Sequence, residues 1–190
     1  KTGIMGETSK ARARRNEEQF EITYAPHDLS GIDIGCSDDP LNHTFRRWDK
    51  IFGDGDATEM EGVPDEQFWT VYASHILEHL KFPRQAVKRW YNICKTGGHV
   101  IICVPHRDLY EKKKMLPSRW NDDQKYFWLP DEEEPPCTKS LKKEILHAVP
   151  EANIVSLRVL DMGYNYDAAP DQHPVGEFSI EAIIRKGPNP

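Results

Sequence analysis

The sequence predicts an α/β fold with a mostly parallel sheet, an antiparallel pair of strands at its C-terminal end, and helices on both faces of the sheet. The first observation is a run of strand, loop, helix, Gly-Gly and strand between residues 68 and 105, which requires two parallel strands. The second is an apolar stretch at 29–34 that leads directly into a glycine. The third is a pair of strand-like stretches, 153–161 and 178–185, which close the chain.

The N-terminal part of the chain contains one predicted helix and two predicted strands. Residues 8–22 lack glycine and proline, and Thr8 or Ser9 could cap a helix there. The glycine-terminated strand is followed by a loop and by a second short strand at 45–48. Residues 53–67 are rich in turn-forming residues, so we expect mostly loop.

The central part of the chain supplies the repeated strand and helix pattern. Residues 68–73 are apolar and aromatic, as in a buried strand. Residues 83–95 place apolar side chains at helical spacing, a Lys-Thr-Gly-Gly segment ends this helix, and an apolar strand follows at 99–104. A second amphipathic helix is predicted at 139–149. Residues 106–137 are charged and aromatic without a regular period, so we expect them to form a lid on the substrate side of the site.

Composition limits the class of protein. The chain has 190 residues, which suits a single domain over 1–190, and it begins with Lys1 rather than Met, as a domain taken from a longer polypeptide would. No apolar run approaches the length of a membrane span. The net charge of −6 argues against a nucleic-acid partner. Four cysteines without a C-x-x-C pair favour a reducing compartment, so we expect a cytoplasmic location.

The stretch "ASHILEHL" at residues 73–80 contains the pattern H-x-x-E-H. In an inverted zinc peptidase this pattern lies within a helix, where two histidines hold zinc and the glutamate acts as a base. Here the pattern begins directly after a predicted strand, which places His75 at the carboxyl edge of the sheet. The sequence therefore argues against a peptidase.

The end of the first strand carries a second chemical signal. In Gly31-Ile32-Asp33-Ile34-Gly35-Cys36-Ser37 a buried strand ends at a glycine, which lets a ligand approach the backbone closely. An acid two residues earlier can accept hydrogen bonds from a polar or cationic ligand. Ligands of open parallel sheets bind at the carboxyl ends of the strands.

The ordered set of "GIDIGCS", an aspartate ending the second strand, "VYASHILEHL" and "KTGGHVIICVPH" resembles the class I S-adenosylmethionine-dependent methyltransferases, particularly the small-molecule branch. The resemblance covers roughly residues 29–110 and implies a Rossmann-like fold with S-adenosylmethionine as cofactor. The cofactor-binding residues that it implies are Asp33, Gly35, Cys36, Ser37, Asp49, Asp56, Ala57 and Ser74. Among them, Asp33 and Gly35 are expected beside the methionine portion, Asp49 near the ribose and Asp56 near the adenine.

Three departures from the family pattern are visible. Ser37 stands where the second glycine is usual, and Thr96 stands where the family has proline. The segment between Cys36 and Asp49 is short, so we expect the helix after the first strand to be reduced.

Methyl transfer to an alcohol requires a base, and three histidines follow the central strands. His75 and His79 follow the strand at 68–73, and His106 follows the strand at 99–104, so all three are candidate catalytic residues. A similar stretch in some ubiquinone-pathway methyltransferases binds a divalent ion, which makes His75, Glu78 and His79 candidate metal ligands. The alternative is that Glu78 and His79 only fix the loop by hydrogen bonds.

The segment "LYEKKKMLPSRWNDDQKYFWL" resembles loops of methyltransferases from polysaccharide biosynthesis, where P-S-R-[FW]-N-x-D-H-K recurs and where this chain has Gln124 in place of the histidine. Aromatic rings suit the apolar faces of a sugar, and polar side chains suit its hydroxyls. The expected acceptor-binding residues are Asp108, Tyr110, Arg119, Trp120 and Asn121. The sequence thus predicts an O-methyltransferase for a sugar or glycan. The alternatives are a methyltransferase for another small molecule, such as a quinone or natural product, and a non-catalytic binding module.

Overall fold

The computed structural model describes residues 5–188. Its strands are β1 (Gly31–Ile34), β2 (Arg46–Trp48), β3 (Phe68–Ser74), β4 (Cys94–Pro105), β5 (Phe127–Leu129), β6 (Thr138–Ser140), β7 (Asn153–Leu160) and β8 (Ser179–Arg185). Its helices are α1 (Glu7–Lys10), α2 (Arg12–Glu17), α3 (Phe20–Tyr24), α4 (Pro83–Ile93), α5 (Arg107–Tyr110) and α6 (Leu141–Ala148). Short 3₁₀ turns lie at Lys50–Phe52 and Leu77–His79.

Six strands form one mixed sheet in the order β2-β1-β3-β4-β8-β7. Strands β1 to β4 are parallel to one another, whereas β8 is antiparallel to both β4 and β7. This arrangement confirms the predicted parallel sheet with an antiparallel C-terminal pair. Because β1 to β4 are parallel, their carboxyl ends meet at one edge of the sheet.

Helices cover both faces of the sheet, as predicted. Along β4, Ile101 and Cys103 pack toward Phe20 of α3, whereas Ile102 and Val104 pack toward Trp90 of α4. The two sets alternate because successive side chains of a strand point to opposite faces. These side chains are almost completely buried. Burying each large aliphatic side chain contributes about 1.5–3 kcal/mol.

The predicted helix at 8–22 is wrong as a continuous element. It is divided into α1, α2 and α3, and Gln19 takes a left-handed backbone conformation with φ of 53°. Ser9 does not cap a helix, because its amide and hydroxyl both donate to Asp39, at 2.8 and 2.5 Å. The breaks let Arg14 reach Glu177 in a buried ion pair while Phe20 enters the core.

Strand β4 begins earlier than the sequence predicted. Helix α4 ends at Ile93, and the Gly-Gly pair lies within β4 instead of ending the helix. A β-carbon at Gly98 would overlap the backbone oxygen of Trp69, so only glycine allows this close strand contact. The other predicted strands agree with β1, β2, β3, β7 and β8 to within a few residues. The helix predicted at 139–149 corresponds to α6, and its first two residues belong to β6.

The predicted lid contains unpredicted secondary structure. Strands β5 and β6 form a separate two-stranded parallel sheet, and α5 directly follows β4. Residues 35–45 contain turns without a helix, in agreement with the expectation that the helix after the first strand is reduced. Within residues 5–188, no helix has the length and apolar character needed to cross a membrane.

Candidate functional site

Three adjacent cavities follow the carboxyl edge of the sheet. The β2-side cavity has about 260 Å³ and lies against β1 and β2, with Gly35, Trp48, Asp49, Ala57 and Ile76 in its wall. The cavity beside the β1 turn has about 180 Å³ and contains Asp33, Gly35, Cys36, Ser37, Ser74 and His75. The lid-side cavity has about 230 Å³ and contains Glu7, Lys10, His75, Glu78, His79, Tyr110, Asn121, Gln124, His173 and Phe178. Gly35 lines the first two cavities, and Glu7 and His75 line the last two.

Gly35 lies where the β2-side cavity meets the β1-turn cavity. Its φ of +74° is in the left-handed region, and a β-carbon there would lie 3.0 Å from the side chain of Ile76. Its amide donates to the carbonyl of Trp48 at 2.8 Å, which fixes the turn against the end of β2. Both the backbone conformation and the limited space therefore require glycine at this position.

Asp49 organises the end of β2. One carboxylate oxygen accepts from the Ser37 amide at 2.9 Å, and the other accepts from the Ile51 amide at 3.1 Å, which caps the 3₁₀ turn. Asp49 also lines the β2-side cavity, so its carboxylate joins the two loops that bound this cavity. Asp56 and Ala57, two further residues expected to bind the cofactor, differ in position. Ala57 lines the cavity, whereas exposed Asp56 accepts from the Thr58 amide at 2.6 Å and shapes the turn.

Asp33 is a buried carboxyl at the inner end of the β1-turn cavity. Its side chain is about 1% exposed and accepts from the Leu41 amide at 2.7 Å. Burial raises the pKa of Asp33 to about 7, although the Leu41 amide and the Arg15 guanidinium oppose this shift. The carboxyl is therefore poised to ionise when a cationic group comes near.

His75, Glu78 and His79 lie together between the β1-turn cavity and the lid-side cavity. Glu78 is about 2% exposed, and its Oε1 lies 3.7 Å from both His75 Nδ1 and His79 Nε2. Its Oε2 has no hydrogen-bond partner within residues 5–188. Burial raises the pKa of Glu78 to about 8 and lowers the pKa of His75 to about 3. Near neutral pH the His75 ring is thus uncharged and the Glu78 carboxyl is mostly protonated.

The two histidines are held differently. His75 has a left-handed backbone, with φ of 55°, and its Nε2 lies 2.8 Å from the Ser179 hydroxyl. His79 Nδ1 is 3.6 Å from Asp123, beyond hydrogen-bonding distance, and burial lowers the pKa of its ring. His79 lines both the β2-side and the lid-side cavities, whereas His75 lines the β1-turn and lid-side cavities.

The expected metal ligands do not form a metal site. Within the described part of the chain, no group of three or more histidine, cysteine or acidic side chains is arranged to hold an ion. His75 Nε2 is engaged with Ser179, and the other nearby ring nitrogens, His75 Nδ1 and His79 Nε2, each lie 3.7 Å from Glu78 Oε1. Metal binding by these side chains remains a prediction without structural support.

His106 lies at the end of β4 but is turned toward the protein. Its Nδ1 accepts from the Asp108 amide at 3.1 Å and so caps α5, and its backbone amide donates to Phe178. It is absent from the walls of the three cavities formed by the described residues. The arrangement brings His75 and His79 together and leaves His106 in a supporting position.

The five expected acceptor-binding residues occupy two kinds of position. Tyr110 and Asn121 line the lid-side cavity. Trp120 lies behind them, with its indole donating to the Tyr110 carbonyl at 2.9 Å. Arg119 is exposed and its guanidinium donates to the Glu111 carbonyl at 3.3 Å, while Asp108 is exposed and paired with Arg107 at 2.7 Å.

Sequence reasoning missed the residues that enter the site from the two ends of the chain. Glu7 and Lys10 come from α1, and His173 and Phe178 come from the loop between β7 and β8. Tyr110 stacks on Phe178 with ring centroids 4.8 Å apart, and His173 packs edge-on to both rings. In the sequence, His173 and Phe178 are one histidine and one aromatic residue in a polar loop, and such residues do not indicate a site by themselves.

Solved structures with similar folds include proteins described as S-adenosylmethionine-dependent methyltransferases. An S-adenosylmethionine-dependent methyltransferase from Archaeoglobus fulgidus has a TM-score of 0.59 at 14% identity, covering 95% of each chain. An enzyme studied for the conversion of a disulfide bond into a thioacetal group in echinomycin biosynthesis has a TM-score of 0.59 at 14% identity, covering 95% of this chain and 83% of its own. At these identities the similarity shows the fold alone.

A third structure, from Thermotoga maritima, is described as an S-adenosylmethionine-dependent methyltransferase and possible histamine N-methyltransferase. It has a TM-score of 0.54 at 15% identity, covering 96% of this chain and all of its own. No curated protein matches the chain in sequence. A family model described as a methyltransferase domain matches residues 11–135, which is more than half of the chain and includes β1 to β4, α4 and most of the lid. The chain therefore belongs to the methyltransferase domain family and is an S-adenosylmethionine-dependent methyltransferase.

Proposed function

We propose that the protein transfers a methyl group from S-adenosylmethionine to a hydroxyl of a sugar or glycan. The observation that carries this proposal is the lid-side cavity of about 230 Å³, which adjoins the cofactor side at His75 and is lined by both aromatic and amide side chains. Tyr110 and Phe178 offer apolar surface for the C–H face of a sugar. Asn121 and Gln124 offer donors and acceptors for its hydroxyls.

The cofactor side supports the expected roles of the strand-end residues. A ligand with a nucleoside at one end and an amino acid at the other fits two cavities that meet at Gly35. Asp49 would accept from the ribose hydroxyls, and the buried Asp33 carboxyl would face the methionine portion. Cys36, Ser37 and Ser74 complete the wall of the β1-turn cavity, where small side chains leave room for the ligand. Asp56 would not contact the cofactor directly but would stabilise the turn that positions Ala57.

The chain's own residues have two tasks in this reaction. S-adenosylmethionine, when bound, supplies an activated methyl group. The lid-side cavity orients the acceptor hydroxyl in line with that group, since alignment accounts for much of the rate enhancement in such a transfer. We assign proton removal to His79, because its neutral ring lines the lid-side cavity, where the acceptor hydroxyl would bind.

Within the lid, we assign direct acceptor contact to Tyr110 and Asn121. Arg119, Trp120 and Asp108 would act by holding the lid in shape, since their side chains contact lid atoms such as the Tyr110 and Glu111 carbonyls. The polar lining favours a sugar over a quinone. A natural-product acceptor remains the second candidate, because the aromatic wall would also bind a flat ring.

We also propose a cytoplasmic location and a single domain. All four cysteines are buried free thiols, which supports a cytoplasmic location. The six-stranded sheet with a helical layer on each face supports a single domain for residues 1–190.

Incubation with S-adenosylmethionine and a panel of glycosides, followed by mass spectrometry, tests the proposal. The expected result is a product heavier by one methyl group whose fragments place the methyl on oxygen. His79→Ala should reduce the rate by about 100-fold or more, as loss of a general base does. His106→Ala should reduce it far less, because His106 only caps α5. Binding of S-adenosylmethionine without methylation of any glycoside would reject the sugar assignment, and an equal loss in both variants would reject the choice of base.

A further inference from the structure

The lid-side cavity already contains a bound ammonium group, which belongs to the protein itself. Lys10 Nζ lies 2.7 Å from Glu7 Oε1 and 4.7 Å from the centroid of the Phe178 ring. All three side chains line this cavity. A carboxylate beside an aromatic face is a recognised way to hold an organic cation. The cavity therefore has the components of an ammonium site.

Glu7 explains why a cation is required there. Burial raises the pKa of Glu7, and Lys10 opposes the shift by a hydrogen bond and by its charge. The Glu7 side chain is about 26% exposed, and a partly buried carboxylate is stabilised by a neighbouring cation. In the absence of an acceptor, Lys10 supplies this charge. Any cation that replaces Lys10 would supply it equally well.

Lys10 is held in a way that permits its replacement. Within residues 5–188 its ammonium has one hydrogen-bond partner, Glu7. Lys10 is the last residue of the four-residue helix α1, and its flexible stem can swing the ammonium into solvent. The other components of the site are more firmly fixed, because Phe178 is buried and stacked on Tyr110 at 4.8 Å.

On the basis of the proposed transfer to a sugar hydroxyl, we propose that the acceptor is an amino sugar whose ammonium takes the place of Lys10 between Glu7 and Phe178. The amino group serves for recognition and the methyl group goes to a hydroxyl. The rest of the sugar would then face Asn121 and Gln124. Neutral sugars would have to leave the Lys10–Glu7 pair in place and would have less room in the cavity.

Calorimetry on the protein saturated with S-adenosylhomocysteine tests this proposal with glucosamine, N-acetylglucosamine and glucose. At about pH 7, where an amino group of this type is still protonated, glucosamine should bind about 10-fold more tightly than the two neutral sugars. Lys10→Met removes the competing ammonium and should raise the affinity for glucosamine about threefold, leaving that for glucose unchanged. Glu7→Gln should weaken glucosamine binding about 10-fold without affecting glucose.

Lys81→Met is a matched control, because the Lys81 ammonium lies 5.2 Å from the Phe82 ring at an exposed position outside the cavity. It should leave the affinity for all three sugars unchanged. Equal binding of glucosamine and glucose by the wild-type protein, no detectable binding of glucosamine, or equal effects of Lys10→Met on both sugars would overturn the proposal. Selective binding of glucosamine without an O-methylated product would contradict only the proposed function. Equally efficient O-methylation of glucose and glucosamine would contradict only the amino-sugar inference.

Discussion

At the scale of single residues, Gly35 offers a direct test of the cofactor site. We expect Gly35→Ala to weaken binding of S-adenosylmethionine by about 10-fold or more, because the new methyl group meets Ile76 at 3.0 Å where the β2-side and β1-turn cavities join. Gly62→Ala is the matched control, since Gly62 has a similar φ of +79° but no atom within 4 Å of the added β-carbon. Calorimetric titration of both variants should show the loss for Gly35→Ala alone. Equal affinities would remove Gly35 from the site.

Asp33 gives a pH-dependent prediction at the same scale. Its pKa is raised to about 7 by burial, so the carboxyl is mostly protonated below this pH and mostly ionised above it. A cationic amino group of the cofactor would favour the ionised form, so affinity for S-adenosylmethionine should rise as the pH increases through about 7. Asp33→Asn should bind more weakly and lose this part of the pH dependence. A wild-type affinity that falls over the same interval would place the cofactor's amino group elsewhere.

At the scale of elements, the lid is organised by one buried carboxylate. Glu111 is fully buried and accepts from the Arg119 amide at 2.7 Å and from the Ser118 hydroxyl. We expect Glu111→Ala to raise the KM for the acceptor about 10-fold or more while the affinity for S-adenosylmethionine changes less than about threefold. Steady-state kinetics together with cofactor titration would show this difference. Glu132→Gln, at an exposed position of the same lid, should change neither value.

The elements differ in how far the sequence could predict them. Strands β3 and β4 with α4 follow from apolar patterns within short windows, because each pattern reflects burial against the same core. The break at Gln19 depends on Arg14 meeting Glu177 and on Phe20 entering the core, which are contacts between distant parts of the chain. The short strands β5 and β6 likewise depend on each other rather than on a local period.

The same distinction applies to the candidate site. Asp33, Gly35, Asp49 and His75 could be predicted from the sequence, because strand ends of a parallel sheet meet at one edge and each residue lies within two positions of the end of a predicted strand. The ammonium site could not, since Glu7 and Lys10 reach Phe178 only through the packing of both chain ends over the lid-side cavity. Sequence patterns specify strand ends more reliably than they specify which loops cover them.

At the scale of the whole molecule, two buried carboxyls determine how stability changes with pH near neutrality. The pKa values of Asp33 and Glu78 are raised to about 7 and about 8, well above the ordinary value of about 4. In the unfolded chain both groups are already ionised at neutral pH, so folding takes up protons. Their contribution to stability is complete below the ordinary pKa and is lost as the pH rises through the folded-state pKa.

Buried histidines act in the opposite direction, but only at lower pH. The pKa of His75 is lowered to about 3, so its contribution falls as the pH drops below the ordinary histidine value of about 6.5. Above that value the carboxyls dominate. We therefore expect the free energy of unfolding of the ligand-free protein to decrease by about 1–3 kcal/mol between pH 6.5 and pH 8, at no more than about 1.4 kcal/mol per pH unit for each group.

Urea denaturation of the wild-type protein and of the Asp33→Asn, Glu78→Gln double variant measures this decrease. The amide side chains imitate the protonated carboxyls and cannot ionise, so the variant should fold and its unfolding free energy should be nearly constant over the same interval. The two proteins should accordingly differ more at pH 8 than at pH 6.5. If the wild-type stability instead increases with pH, or if both proteins lose stability equally, then groups other than Asp33 and Glu78 control the transition and the two carboxyls are already ionised in the folded protein.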